Sequence, residues 1–170
     1  MSLSTAQQDM VAEAIRLIDS IPINLNHSVA AAILTTRGRI ITAVNMFHFS
    51  GSTCAEMSCL AKAASEGVLS SRVYATASPN GLVYNDIGAN GHQARESVDC
   101  IVAVGDRGRG VINPCGRCRQ IILDYFPLAR VIVATDPTPD DDDDDSRLEI
   151  VPITDLMPRP YKWKQRQKGE

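Results

Sequence analysis

Pro114-Cys115-Gly116-Arg117-Cys118, read together with Cys54-Ala55-Glu56 earlier in the chain, organises the reading of everything around it. Pro114 introduces a run from about Gly116 to Tyr125 that stops before Pro127 and predicts a helix. Cys115 and Cys118 stand three positions apart at the start of that helix, so both sulfurs lie on one face, close enough to share a metal. Cys54 opens a second predicted helix, Cys54 to Glu66, which is rich in Ala, Met and Leu and ends at Gly67. Helix starts lower thiol pKa and favour the thiolate that zinc requires. Three thiolates on Zn²⁺ carry an excess of one negative charge, which two helix N-termini at roughly half a positive charge each would offset. Arg117 and Arg119 are near enough in sequence to help.

Three protein ligands leave the fourth tetrahedral position to water, as in catalytic rather than structural zinc sites. Glu56, two residues after Cys54, can point at that water without ligating the metal and can move protons to a ring nitrogen and to leaving ammonia. This pattern matches the zinc deaminases that act at C4 of cytosine, with Cys54 in place of their usual His. A Cys-x-x-Cys pair alone would also serve a redox dithiol or half of a structural zinc site. A structural site needs a fourth ligand, and Cys59 lies about 140° around the helix from Cys54. Cys100 sits inside an apolar strand and reads as core packing. His27, His48 and His92 do not pair at ligand spacing and read as surface or packing residues.

The bulk composition fits a soluble enzyme of small molecules. The chain has 170 residues, enough for one domain over 1–170, with 44% hydrophobic and 22% charged residues and a net charge of −3. A polynucleotide substrate would call for a basic face, which this balance does not supply. The five cysteines are an odd number, and neither a leader pattern nor a membrane-length apolar run is seen. Reduced thiols in the cytoplasm are the expectation, with no membrane association.

Between the motifs, strands and helices alternate. Ser4 to Gln7 reads as a capping box before an amphipathic helix with Val11, Ala14, Ile15 and Ile18 at helical spacing, ending near Pro22. Val29 to Thr35 and Arg39 to Phe47, joined by Arg37-Gly38-Arg39, read as a hairpin. Val98 to Val104, Arg130 to Ala134 and Leu148 to Val151 complete a sheet of about five strands, giving an α/β sandwich with helices on both faces. Residues 69–97 hold Pro79, Gly81, Gly88, Asn90 and Gly91 and read as an inserted loop or hairpin. Residues 137–146 include the run Asp140 to Asp145, whose self-repulsion favours a solvated loop. A calcium loop would alternate ligands with spacers and a Gly turn, which this run does not.

On Ser20-Ile21-Pro22-Ile23, Ser28-Val29-Ala30, Gly38-Arg39-Ile40, His48-Phe49, Cys54-Ala55-Glu56, Arg109-Gly110, Pro114 to Gln120 and Tyr161-Lys162-Trp163, the sequence resembles the cytidine deaminase family, and within it the fungal blasticidin S branch. The resemblance implies a three-layer α/β/α cytidine deaminase-like sandwich with a mixed sheet and a homotetramer. It also implies one Zn²⁺ per chain on Cys54, Cys115 and Cys118, with Glu56 as catalytic proton shuttle. It further implies substrate contacts at Ser28, Asn45, Ala55, Arg109, Tyr161 and Trp163, the last two in a C-terminal tail, 158–170. Arg109 could equally be a solvated loop charge, and Tyr161 and Trp163 could anchor the tail by packing.

Asn45 matches a sugar-binding Asn of the nucleoside enzymes, which follow it two positions later with an acidic residue. Here that position is Phe47, and the loop to Cys54 is two residues shorter than theirs. Thr53 stands where a proline commonly precedes the first metal-binding Cys. The expected activity is hydrolytic deamination of the cytosine ring of blasticidin S or a similar cytosine nucleoside, an antibiotic-resistance function. The alternative is a cytidine/deoxycytidine deaminase of pyrimidine salvage.

Overall fold

In a computed structural model of the protein, residues 3–68, 72–78, 81–86, 96–135 and 147–162 are described. The first helix, α1 (Thr5–Asp19), starts where the capping box predicts, with the Ser4 amide donating to Gln7 Oε1 at 2.9 Å. Its buried row is Gln7, Met10, Ala14 and Ile18, spaced three to four apart. Val11 only flanks this row and Ile15 faces solvent, so the apolar stripe is rotated from the one read in the sequence. Met10 fills the contact that Val11 was expected to make.

β1 (Val29–Thr35) and β2 (Ile40–Val44) form the expected hairpin, with Ala30 opposite Val44 and Leu34 opposite Ile40. Its turn needs Gly38, whose φ is +80°. β2 stops at Val44 rather than Phe47. Beyond it, an isolated bridge between Met46 and Thr53 closes the loop that delivers Cys54 to α2 (Ala55–Ser65).

A hairpin of β3 (Arg72–Ser78) and β4 (Gly81–Asp86) follows, with Arg72 opposite Asp86, inside the segment expected to be an insertion. The chain then enters β5 (Val98–Gly105), the two-residue β6 (Val111–Ile112), α3 (Gly116–Tyr125), β7 (Arg130–Ala134), β8 (Leu148–Pro152) and a short 3-10 turn, Ile153–Leu156. The acidic run and the C-terminal tail beyond Lys162 lie outside the described residues. No helix among the described residues is long and apolar enough to cross a membrane.

The main sheet has six strands, in the order β2-β1-β5-β7-β8 with β6 pairing β5. It is mixed: β5 and β7 run parallel, joined through α3, while every other pairing is antiparallel. β6 is the strand the sequence reading missed, because two residues carry no periodic signal.

Strand alternation divides the interior into two cores. Ala31, Ile33, Ile101, Ala103, Val131 and Val133 pack against α2 and α3 on one face. Ala30, Ala32, Leu34, Cys100, Val102, Val104 and Ile132 pack against α1 on the other. Val98 joins the α2/α3 core because the register slips between Leu34 opposite Cys100 and Thr35 opposite Val98. Ala30, Ala31 and Ala32 are fully buried, and their small side chains let helices approach the central strand from both sides.

Where the chain returns from the 69–95 segment, Glu96 fastens it to the first hairpin. Its Oε1 accepts from Thr35 Oγ1 at 2.5 Å and from Arg39 Nε at 2.8 Å, and its Oε2 accepts from Arg39 Nη2 at 3.0 Å. The Arg39 hydrogen bond, then that of Thr35, holds the Glu96 carboxyl below its ordinary range. A depressed folded-state pKa stabilises the fold above the unfolded value, about 4.3, and that contribution is lost as pH falls through the folded value. Glu96→Gln should therefore melt below the wild type at neutral pH, with the gap closing in thermal melts below about pH 4.3. A gap independent of pH would contradict this ionic role.

Candidate metal and active centre

The sheet brings both cysteine motifs to one end. The start of β1 lies against the end of β2, Ala30 opposite Val44, and against the end of β5, Val29 opposite Gly105. β7 runs parallel to β5, and its last residue, Ala134, exchanges two 2.9 Å hydrogen bonds with the Asn113 side chain. Asn113 immediately precedes Pro114 and Cys115. Both α2 and α3 thus begin outside the carboxyl ends of strands, where ligand sites of α/β sheets form.

Cys54 and Cys115 occupy the same position in their helices. Each is an N-cap with extended backbone, at φ −65° and ψ 153° for Cys54 and φ −66° and ψ 164° for Cys115. Neither side chain caps its helix, so both sulfurs remain free to turn toward each other. Cys118 follows in the first turn of α3. The three Sγ atoms lie within 4.8 Å of one another, with Cys54 and Cys115 at 3.8 Å. Zn–S bonds of about 2.3 Å at tetrahedral angles place sulfurs about 3.8 Å apart. The donor set therefore fits zinc in both chemistry and size.

The loops that carry these cysteines are tied together. Arg117 Nη1 donates to the Ser52 carbonyl at 3.1 Å, joining the start of α3 to the approach to Cys54. Arg119 Nε donates to the Pro114 carbonyl at 2.9 Å. Burial raises the Cys118 thiol pKa, and the Glu56 carboxylate and the other two thiols raise it further. Burial also raises Cys54, against an opposing hydrogen bond from Cys118. For Cys115 burial acts upward too, but hydrogen bonds from the Cys118 and Arg117 amides and the neighbouring thiols prevail, and its pKa falls. A cluster of this kind becomes fully deprotonated only beside a positive counter-charge.

Glu56 is 6% exposed and has no hydrogen-bond partner among the described residues. Ala55, between it and Cys54, is fully buried. Cys59 points away from the cluster and donates to the Ile41 carbonyl at 2.9 Å, while Cys100 lies across the sheet in the α1 core. Burial pushes both thiols up to about 12. The packing roles read for them in the sequence hold. His27 Nδ1 bonds the Asn45 carbonyl and His48 Nδ1 bonds Ser50 Oγ, whereas His92 lies outside the described residues.

Three of the expected substrate contacts meet directly. Asn45 Oδ1 accepts the amides of Ser28 at 2.8 Å and Val29 at 2.9 Å, and its Nδ2 donates to the Asn26 carbonyl at 3.2 Å. Arg109 Nη2 donates to the Ser28 carbonyl at 2.7 Å and to Asp106 Oδ1 at 2.7 Å. Arg109 is thus held by two partners while its side chain stays about half exposed. Tyr161 has an exposed ring, but its amide and carbonyl pair with the Gln120 side chain at 3.2 and 3.0 Å, docking the tail on α3. Trp163 lies outside the described residues. The sequence reading missed Asp106, Asn113 and the tail-docking role of Gln120. Only the run Gly105-Asp106-Arg107-Gly108-Arg109-Gly110 hinted at a shaped loop around Arg109.

Residues 4–135 match the family described as the cytidine and deoxycytidylate deaminase zinc-binding region. A protein of Bacillus cereus named blasticidin-S deaminase is 30% identical over 136 residues, 78% of this chain and 83% of that protein. Among solved structures, a cytidine deaminase of Burkholderia pseudomallei superposes with a TM-score of 0.58 at 20% identity, covering 94% of this chain and all of the other. A cytidine deaminase of Mycobacterium leprae gives 0.55 at 20% identity, with 89% of this chain and 97% of that one covered. At such identities the solved structures speak to the fold alone.

Proposed function

The chain belongs to the cytidine and deoxycytidylate deaminase zinc-binding family, and on that premise we propose that it hydrolytically deaminates the cytosine ring of a small nucleoside, favouring blasticidin S or a close analogue. The observation that carries this reading is the gathering of Cys54, Cys115 and Cys118 within 4.8 Å, next to a buried Glu56 whose charge acts on Cys118.

Cys54, Cys115 and Cys118 would hold zinc, which when bound supplies the Lewis acidity that makes water nucleophilic near neutral pH. Water adds at C4 of the cytosine ring, the bond from C4 to the amino nitrogen breaks, and the products are a uracil ring and ammonia. No electrons are exchanged with any other reactant. Glu56 takes a proton from the water, passes it to N3, and delivers the second proton to the departing amine. Burial without a competing partner leaves its carboxylate available for both transfers. Ser28 and Arg109 would line the substrate at the carboxyl end of the sheet, with Asn45 holding the Ser28 amide in place and Ala55 fully buried between Cys54 and Glu56. Tyr161 and Trp163 are the further contacts assigned to the tail.

Phe47 favours blasticidin S over the second reading, a cytidine/deoxycytidine deaminase. It stands exposed where the nucleoside enzymes resembled above carry an acidic residue for the ribose hydroxyls. Blasticidin S has an unsaturated sugar and a charged peptidyl arm, which needs the aromatic cover of the tail more than it needs that carboxylate. The B. cereus relative named blasticidin-S deaminase supports the same choice. On this reading the protein detoxifies an antibiotic in the cytoplasm. Exposed Ile23, Leu25, Met46, Phe47 and Phe49 suit burial between subunits of a homotetramer.

Metal analysis should find zinc near one equivalent per chain, lost in Cys115→Ala and kept in Cys59→Ala. Glu56→Gln should keep zinc and fold while turnover drops by about two decades or more, because an amide cannot relay protons. Near-normal turnover in Glu56→Gln would contradict the mechanism.

Side-by-side spectrophotometric assays test the substrate. Where bound substrate and the tail cover Phe47, a ribose hydroxyl left unpaired there would cost roughly 1–3 kcal/mol, so kcat/KM for blasticidin S should exceed that for cytidine by at least about tenfold. Truncation before Tyr161 should hurt blasticidin S more. Cytidine as the better substrate would favour the second reading.

A further inference from the structure

The loop from Gly105 to Gly110 is built around one guanidinium. Arg107, Gly108 and Gly110 adopt left-handed backbone, with φ of +55°, +70° and +66°, and the Gly105 amide donates to the Gly110 carbonyl at 2.9 Å. This tight return brings the Arg109 side chain back over the end of β5. A Cβ placed on Gly105 would lie 2.8 Å from Arg109 Nε and 2.9 Å from its Cζ, so the guanidinium rests against the glycine itself. Asp106 then clamps it. Its Oδ1 accepts from Arg109 Nε at 3.1 Å and from Nη2 at 2.7 Å, and its own amide donates to the Ser28 carbonyl at 3.0 Å. The Ser28 carbonyl receives Arg109 Nη2 as well, at 2.7 Å.

Two sides of the planar guanidinium are therefore fixed, while Nη1 has no hydrogen-bond partner among the described residues and Arg109 remains about half exposed. Asp106 itself is only 15% exposed. We propose that Asp106, with Gly105 as the floor beneath, is a positioning residue that aims Arg109 Nη1 at an acceptor oxygen of the substrate. The proposal rests on the reading of Arg109 as a substrate contact. Asp106 holds Arg109 through Oδ1 while its Oδ2 faces Arg107 Nε at 3.8 Å, so the two guanidiniums outweigh the one carboxylate and the free Nη1 donors suit an acceptor oxygen such as a carbonyl or hydroxyl. Orientation of this kind acts on binding: an arginine already held in one geometry loses less freedom when substrate arrives.

Steady-state kinetics of the zinc-loaded full-length protein test it, with cytidine and blasticidin S each assayed and the better one used. Asp106→Ala should raise KM about tenfold, equivalent to ~1.4 kcal/mol, with kcat within about threefold and zinc content unchanged. Asp106→Asn keeps the acceptor oxygen and should recover most of that loss. Gly105→Ala removes no hydrogen-bonding group, yet should raise KM similarly by displacing the guanidinium, which keeps the test open if Asp106→Ala does not fold. In an Arg109→Gln background neither change should add to the KM defect. A raised KM in Arg109→Gln alone, with Asp106 and Gly105 variants unaffected, would overturn the positioning role while sparing Arg109 as a contact. An unaltered KM in Arg109→Gln would instead overturn the contact itself, and the positioning role with it.

Discussion

Three thiol sulfurs within 4.8 Å, close to a buried carboxylate, are an unfavourable gathering of acidic groups unless something positive joins them. The fold answers this constraint with geometry. Two helices begin at the same end of the sheet, each with a cysteine as N-cap, so free amides and two aligned helix dipoles face the cluster. The downward pull on Cys115 comes from hydrogen bonds of the Cys118 and Arg117 amides and of the neighbouring thiols. It does not extend to Cys54 and Cys118, which burial and the Glu56 charge hold up. A divalent cation would supply what the helices alone do not.

Much of the remaining architecture serves to bring those two helix starts together. β5 and β7 run parallel, so α3 must start at their carboxyl ends, and Asn113 fixes that start by pairing with Ala134. β2 runs antiparallel to β1, so its carboxyl end reaches the same edge, and the Met46 to Thr53 bridge sets the short approach to Cys54. Arg117 then ties one approach to the other through the Ser52 carbonyl. The buried alanines of β1 let α1 and α2 close on the sheet from opposite faces. Cysteine packing follows the same logic: Cys59 sits on the buried face of α2, and Cys100 at a strand position whose side chain alternation directs into the α1 core, both away from the cluster.

The thiol cluster was legible in the sequence because its spacing has a physical meaning. Cys115 and Cys118 share a helical face, Cys59 does not share one with Cys54, and Cys100 lies in a β run. Strands with clear apolar runs were equally legible, and β5 and β7 lie where the pattern places them. β6 left no signal at two residues, and the rotation of α1 from Val11 to Met10 depended on where the sheet surface lies. Of the surroundings of Arg109, only the glycine-rich run that shapes its loop was legible. A glycine that must lack a Cβ and an aspartate that clamps an arginine three residues later are ordinary loop residues until the backbone folds back. Asn45 shows the same limit. Its side chain holds the backbone from Asn26 to Val29, a structural task that a sequence motif does not display.

Zinc K-edge X-ray absorption of the purified zinc-loaded protein tests the central claim most directly. Ligation by Cys54, Cys115 and Cys118 with an open position predicts three sulfur scatterers at about 2.3 Å and one lighter O/N scatterer at about 2.0 Å. Four sulfurs would mean that Cys59 or Cys100 closes the site as a structural one, and a shell without sulfur would mean that the two helix starts do not hold the metal.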